Sequence, residues 1–233
     1  MHRFTDQFVE YCHRSFVFYD NTVYRYASLP VCIIDCVYSL RAPYYSVTLP
    51  IVDRYANRYM GGDRYAPGDT LTAFLRQIDV SGGPRAFADS VLKNRQKLGG
   101  KRSIPKENVC YQLARYLRYL HIDTLEDFRN YECPELLDIV IRSVNGLGNA
   151  GTNYLFMLAG DENRCKPDVH IHRCICDSCG EDVSDEECQT ILTEAVSILR
   201  ETYPSLTVRQ LDSIIWQEYQ SRNRNKKVKE ATP

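Results

Sequence analysis

Asn145-Gly-Leu-Gly-Asn-Ala-Gly151, Tyr154-Leu-Phe-Met-Leu-Ala-Gly160 and Lys166-Pro-Asp-Val-His-Ile-His-Arg173 follow one another in close succession. The first is a glycine turn between two helices. Pro134 opens the helix before it, with Leu136, Leu137, Val140, Ile141 and Val144 at helical spacing. A helix that ends in Gly146-Leu147-Gly148, and a second that begins by Ala150, bring several backbone N–H groups to one point, because first-turn N–H groups have no partner within their own helix. Glycine admits positive φ there and lets a ligand approach the main chain. A phosphate oxygen suits such a helix start, although an ordinary helical hairpin with a glycine cap has the same residues. Asp168 is open to two readings as well. Following a proline and preceding a helix, it is a common N-cap; it is also a carboxylate available for chemistry.

Outward from this stretch, no run alternates with period two and about ten segments carry helical spacing, which predicts an all-α protein. Phe4, Phe8 and Tyr11 fall at helical intervals near the start. Val31, Ile34, Val37 and Tyr38 predict a largely buried helix that ends near Ala42-Pro43, since proline removes a donor and disfavours helix in the residue before it. A second helix runs through Val47, Ile51, Val52 and Tyr55. Gly61-Gly62, Pro67-Gly68 and Gly82-Gly83-Pro84 punctuate the chain beyond it, and a basic loop spans Lys93 to Lys106. Thr124 with Asp127, Ser184 with Glu187 and Thr207 with Gln210 are placed as capping pairs, and Gly180 as a helix C-cap.

The 233 residues are 44% hydrophobic and 25% charged, enough for a full core in one or two domains. No apolar run reaches the roughly 18 residues of a membrane span, and the N-terminus has no signal-peptide pattern, so no membrane partner and a cytoplasmic location are expected. The ten cysteines lie in apolar or helical surroundings, which favours reduced thiols. The net charge of −1 conceals a local imbalance: residues 51–120 hold thirteen Lys/Arg against six Asp/Glu. A basic middle segment in a near-neutral chain marks a nucleic-acid face or simply a set of solvated helices.

Together, the hairpin Val144-Asn-Gly-Leu-Gly148, the helix Tyr154–Gly160 and the loop with its acid, Lys166-Pro-Asp168, resemble the helix-hairpin-helix DNA glycosylases, the superfamily of endonuclease III and the adenine-mismatch glycosylases. Ile34–Ala42 is more weakly similar to the family's early barrel helix and the loop after it. The resemblance implies two helical lobes with the active site in the cleft between them. Residues 31–155 would be a six-helix barrel ending in the hairpin. Residues 1–30 with 156–220 would be a second lobe carrying the acid, and 221–233 a basic flexible tail. Asp168 would be the catalytic carboxylate that stabilises or captures the oxocarbenium-like sugar. Asn145, Gly146, Leu147, Gly148, Asn149, Ala150 and Gly151, with Lys166, would hold the DNA backbone, with a structural monovalent cation at the hairpin as an option and no other cofactor. Arg41 falls where the family inserts a side chain into the stack left by an extruded base. The partner would be double-stranded DNA with one base flipped out, bound by a monomer.

Two departures narrow the expectation. Bifunctional members carry a lysine two residues after the second hairpin glycine; here that residue is Ala150, so a monofunctional enzyme is expected, with water as the final nucleophile and an abasic site as product. The family's cluster cysteines have the spacing C-x6-C-x2-C-x5-C, which Cys165, Cys174, Cys176, Cys179 and Cys188 do not follow, so an iron–sulfur cluster is not expected. His172, Cys176 and Cys179 would share a helix face, with Cys188 as a fourth zinc ligand; buried thiols on an amphipathic helix explain the same pattern. The resemblance implies that the base would be a damaged or modified one, either a repair substrate or a hypermodified pyrimidine of phage DNA in anti-phage defence. The rivals are a non-catalytic helix-hairpin-helix DNA-binding protein, in which Asp168 is only a cap, and a helical scaffold that uses its tyrosine-rich surfaces for a protein partner.

Overall fold

A computed structural model describes residues 1–19, 25–99 and 103–230, with side chains as far as Arg222. Among these residues the protein is helical almost throughout, as α1 (Thr5–Ser15), α2 (Leu29–Ser39), α3 (Leu49–Tyr59), α4 (Leu71–Val80), α5 (Pro84–Phe87), α6 (Lys106–Tyr119), α7 (Leu125–Arg129), α8 (Pro134–Ser143), α9 (Gly148–Ala159), α10 (Val169–Cys179), α11 (Asp185–Leu199) and α12 (Val208–Glu230). The expected all-α class is what the chain adopts. Three short pieces differ from the sequence pattern. Tyr44–Thr48 and Ala88–Leu92 are single wide π-type turns fused to α3 and α5. Within the basic loop, β1 (Lys97–Leu98) and β2 (Ile104–Pro105) pair antiparallel, too short to show a period of two. Lys101 and Arg102 of that loop lie outside the described residues.

The chain forms two compact units, residues 25–160 and residues 1–24 with 161–233. The 25–160 unit is built around α2, all eleven of whose residues are buried. A helix that is apolar on every side must be covered on every side, and α3, α4, α6 and α9 supply the cover. The one charge inside α2, Asp35, is fully buried and accepts hydrogen bonds from the hydroxyls of Tyr26 (2.7 Å), Tyr44 (2.9 Å) and Tyr154 (3.0 Å). A buried carboxylate without such donors would not be tolerated.

In the other unit, Phe8 and Cys12 of α1, Ile171 and Cys174 of α10, Cys188, Ile191 and Leu192 of α11, and Leu211 and Ile215 of α12 form one core. The four cysteines of that core, Cys12, Cys165, Cys174 and Cys188, are free thiols. Ser184 with Glu187 and Thr124 with Asp127 are reciprocal capping boxes, and Thr207 and Gln210 exchange the same two bonds. The basic run from Arg222, assigned from the sequence to a tail, continues α12 to Glu230; residues 231–233 lie outside the described residues.

His172 fastens the turn between α10 and α11: Nδ1 meets Asp182 and Nε2 meets Asp185, each at 3.0 Å. Burial opposes the imidazolium, but the bonds to Asp185 and Asp182 outweigh it and raise the pKa above the ordinary 6.5. A raised folded-state pKa adds stability that is fully present below 6.5 and is lost as the pH rises through the folded value. His172→Gln should therefore lower the melting temperature clearly near pH 6 and have much less effect near pH 9; equal losses at both pH values would show that packing, not charge, holds the turn.

Candidate nucleic-acid interface and the Asp168 loop

The hairpin sits at one end of α9. Val144 follows α8 and closes its last turn by donating to Ile141, Leu147 N–H returns to Val144 O at 3.2 Å, and α9 starts at Gly148. Gly146 and Gly148 take φ of +100° and +58°, a region that side chains avoid. Their surroundings differ. A Cβ on Gly146 would lie 2.5 Å from Leu98 Cδ1, whereas one on Gly148 would meet nothing within 4 Å. Asn145, Gly146 and Gly148 differ in exposure from Leu147, which is buried as the anchor, and Asn149 and Ala150 are half-buried. Gly151, grouped from the sequence with the phosphate-binding residues, has a different place. It is buried, its N–H is taken by Leu147 O, and its carbonyl receives the Cys36 thiol at 3.1 Å. Its missing side chain lets α9 lie close against Leu147 and Leu40.

Arg41 comes to the same end of this unit. It leaves α2 at φ +54°, strained for a residue with a side chain, and is exposed, with Nη1 3.1 Å from Gly99 O. Lys106 holds that corner together: fully buried, its ammonium donates to Tyr38 O (2.9 Å), Leu40 O (2.8 Å) and Gln96 Oε1 (3.1 Å). It thus joins the end of α2 to the chain entering β1, and Leu98 of β1 lies under Gly146. Exposed Lys97 alternates with buried Leu98. The hairpin, the Arg41 turn and part of the basic loop form one surface, whereas Lys106, read from the sequence as the end of that loop, is buried beneath it as a structural tie. A separate cavity of about 460 Å³, lined by residues such as His121, Glu126, Asn130 and Cys133, includes none of these groups.

Asp168 belongs to the other unit. It caps α10, its Oδ1 accepting N–H from His170 (2.8 Å) and Ile171 (3.4 Å), while its own N–H donates to Lys166 O at 2.6 Å. Asp168 is half-buried and follows buried Pro167. The loop leading to it is tied at three points: Arg209 N–H to Glu162 O (3.1 Å), Cys165 N–H to Gln189 Oε1 (2.9 Å), and Lys166 N–H to Asp212 Oδ1 (2.8 Å). Asp212 is 8% exposed, and burial, with the charge of Asp168 second, pushes its pKa up to about 7. His170 lies edge-on to Trp216 and has its pKa lowered by burial, against the opposing pull of Asp168. Asp212 and Arg209 were missed from the sequence. The available signal was spacing: Val208, Leu211, Ile215 and Tyr219 form the buried stripe of α12, and Asp212 falls within it.

The proposed zinc set is not brought to one point. His172 spends both ring nitrogens on carboxylates with Cys188 Sγ 3.8 Å away, Cys176 is exposed, and Cys179 lies beside Ser178 and Phe4 O. Among the described residues, no three His, Cys, Asp or Glu side chains are grouped to hold a metal ion. No described helix is long and apolar enough to cross a membrane.

Two stability measurements check this geometry. Gly146→Ala adds overlap with Leu98, worth about 1–3 kcal/mol, to the about 1–2 kcal/mol for a side chain at positive φ, whereas Gly148→Ala incurs only the second. Urea unfolding should rank them in that order, and equal losses would contradict the contact. For Asp212 the folded pKa is raised, so its stability contribution is fully present below 3.8 and is lost as the pH rises toward about 7. Asp212→Asn should match the native protein near pH 4 and be the more stable of the two near pH 8; a destabilised variant at pH 8 would contradict the raised pKa.

Comparison with known proteins adds a family and no function. No curated protein and no solved structure matches the chain. The family model described as Domain of unknown function (DUF8548) matches residues 6–221, nearly the whole sequence, and the chain therefore belongs to the DUF8548 family.

Proposed function

We propose that the protein is a monofunctional DNA glycosylase of the helix-hairpin-helix kind, which flips a damaged or modified base out of duplex DNA and hydrolyses its N-glycosidic bond. On this reading residues 31–155 would be the six-helix barrel ending in the hairpin, and residues 1–30 with 156–220 the lobe that bears the acid. The observation that carries it is the built loop at Asp168, a carboxylate fixed by two main-chain donors on a segment tied down at Glu162, Cys165 and Lys166.

The chemistry derives from that carboxylate. The C1′–N bond breaks with its electron pair leaving on the base, which takes a proton from solvent. Asp168 stabilises the positive charge that develops on the sugar, as a fixed anion in a partly dry site does. Water then adds to C1′ and gives up a proton, so one water is consumed and the products are the free base and an abasic site. Ala150 offers no amine for a Schiff base, so the strand stays intact. Phosphate oxygens would be held by N–H groups at the start of α9, with Arg41 entering the gap left by the base.

The rival reading, a DNA-binding protein without catalysis, is favoured by one observation: the Asp168 carboxylate is already used as an N-cap. Mass spectrometry of material released from unmodified, damaged and hypermodified phage DNA separates the two. Release of a free base by the native protein, and a loss of at least about 100-fold in Asp168→Asn, is expected from removing a transition-state charge. Equal release by the variant, or none from any DNA that the protein binds, would leave only the binding reading.

A further inference from the structure

We propose that Asp212 is a positioning residue for Asp168: its carboxyl anchors the turn that carries Asp168 and, by holding or releasing one proton, sets the net charge beside it. This rests on the glycosylase reading for its consequence in catalysis, but not for the pairing itself.

The two carboxyls are linked through the backbone. Asp212 Oδ1 accepts the Lys166 N–H at 2.8 Å, and Lys166 O in turn accepts the Asp168 N–H at 2.6 Å. One side-chain and one main-chain hydrogen bond therefore run from α12 to the catalytic candidate, with buried Pro167 restricting φ between them. The anchor on α12 is doubled one turn earlier, where Arg209 N–H grips Glu162 O. The charged and titratable groups that face Asp212 come from two elements. Arg209 lies on its own helix, and Lys166, Asp168 and the buried thiol of Cys165 come from the loop. His170 and Trp216 flank the same region from α10 and α12.

An asparagine at 212 would keep an oxygen for the Lys166 N–H and avoid burying a charge. What the aspartate adds is a titratable proton. With burial and Asp168 both opposing its ionisation, and Lys166 and Arg209 favouring it, the carboxyl changes charge near neutrality. Ionisation of Asp212 therefore adds a negative charge near Asp168, and protonation removes it. A second negative charge stabilises the cationic sugar further, so base release should rise as Asp212 ionises.

Carboxyl carbon NMR of aspartate-labelled full-length protein, from about pH 4 to about pH 9, reads the pairing without any substrate. The resonance absent from Asp212→Asn should titrate near neutrality and shift to lower pH in Asp168→Asn. Titration in the ordinary carboxylate range, or a neutral inflection that Asp168→Asn leaves in place, would overturn the proposal. Once a released base is identified, single-turnover release should rise about tenfold across neutrality in the native protein, the rate equivalent of one pKa unit, and be flat in Asp212→Asn. Superposable profiles would remove the charge role even if the NMR coupling holds. If no base is released while the coupling is present, the glycosylase reading has failed and the carboxyl pair remains.

Discussion

The complete burial of α2 is the constraint on which the larger unit depends. A helix without a polar face is stable only when enclosed, so α3, α4, α6 and α9 are arranged around it. Its single carboxylate recruits three tyrosine hydroxyls, one of them from α9, and its Cys36 thiol meets the Gly151 carbonyl. These bonds fix the helix after the hairpin. The C-terminal end of α2 then has to leave an enclosed space, and Lys106 draws its last carbonyls inward while Arg41 turns outward at positive φ. Hairpin and Arg41 share a surface because both are tied to one buried helix.

The second unit solves a different problem, which is to hold a partly exposed acid still. The segment before α10 has no regular structure of its own, and α11 and α12 supply what its backbone lacks through Gln189, Asp212 and the start of α12. Placing a second carboxylate beneath the first works against folding at neutral pH. Such local costs collect where function needs a shifted proton equilibrium.

Much of the fold was legible because it is local. Helical periodicity, the caps at Thr124, Ser184 and Thr207, and the stop at Gly180 depend on residues within a few positions of one another, and each appears where its chemistry places it, whereas α2 ends at Ser39, short of the expected Ala42-Pro43. Asp168 as the cap of α10 was legible for the same reason. The buried polar residues were not. Lys106, Asp35, Arg209 and Asp212 owe their burial to partners far away in sequence, such as Tyr38, Tyr154, Glu162 and Lys166. The wide turns at Tyr44–Thr48 and Ala88–Leu92 escaped because one extra residue in a helical turn hardly alters the spacing of apolar positions. Gly151 shows the limit of a motif: the same residue type serves an open turn at 148 and tight packing three residues later.

Whether Asp168 faces a developing positive charge is the point on which the functional reading stands, and it can be measured without knowing the base. Duplex DNA with a cationic pyrrolidine in place of one sugar imitates the oxocarbenium ion; a neutral tetrahydrofuran at the same position does not. The native protein should bind the pyrrolidine duplex at least about 100-fold more tightly, as transition-state analogues bind, and Asp168→Asn should lose that preference while retaining affinity for the neutral duplex. Equal affinity of the native protein for the two duplexes would contradict a catalytic Asp168.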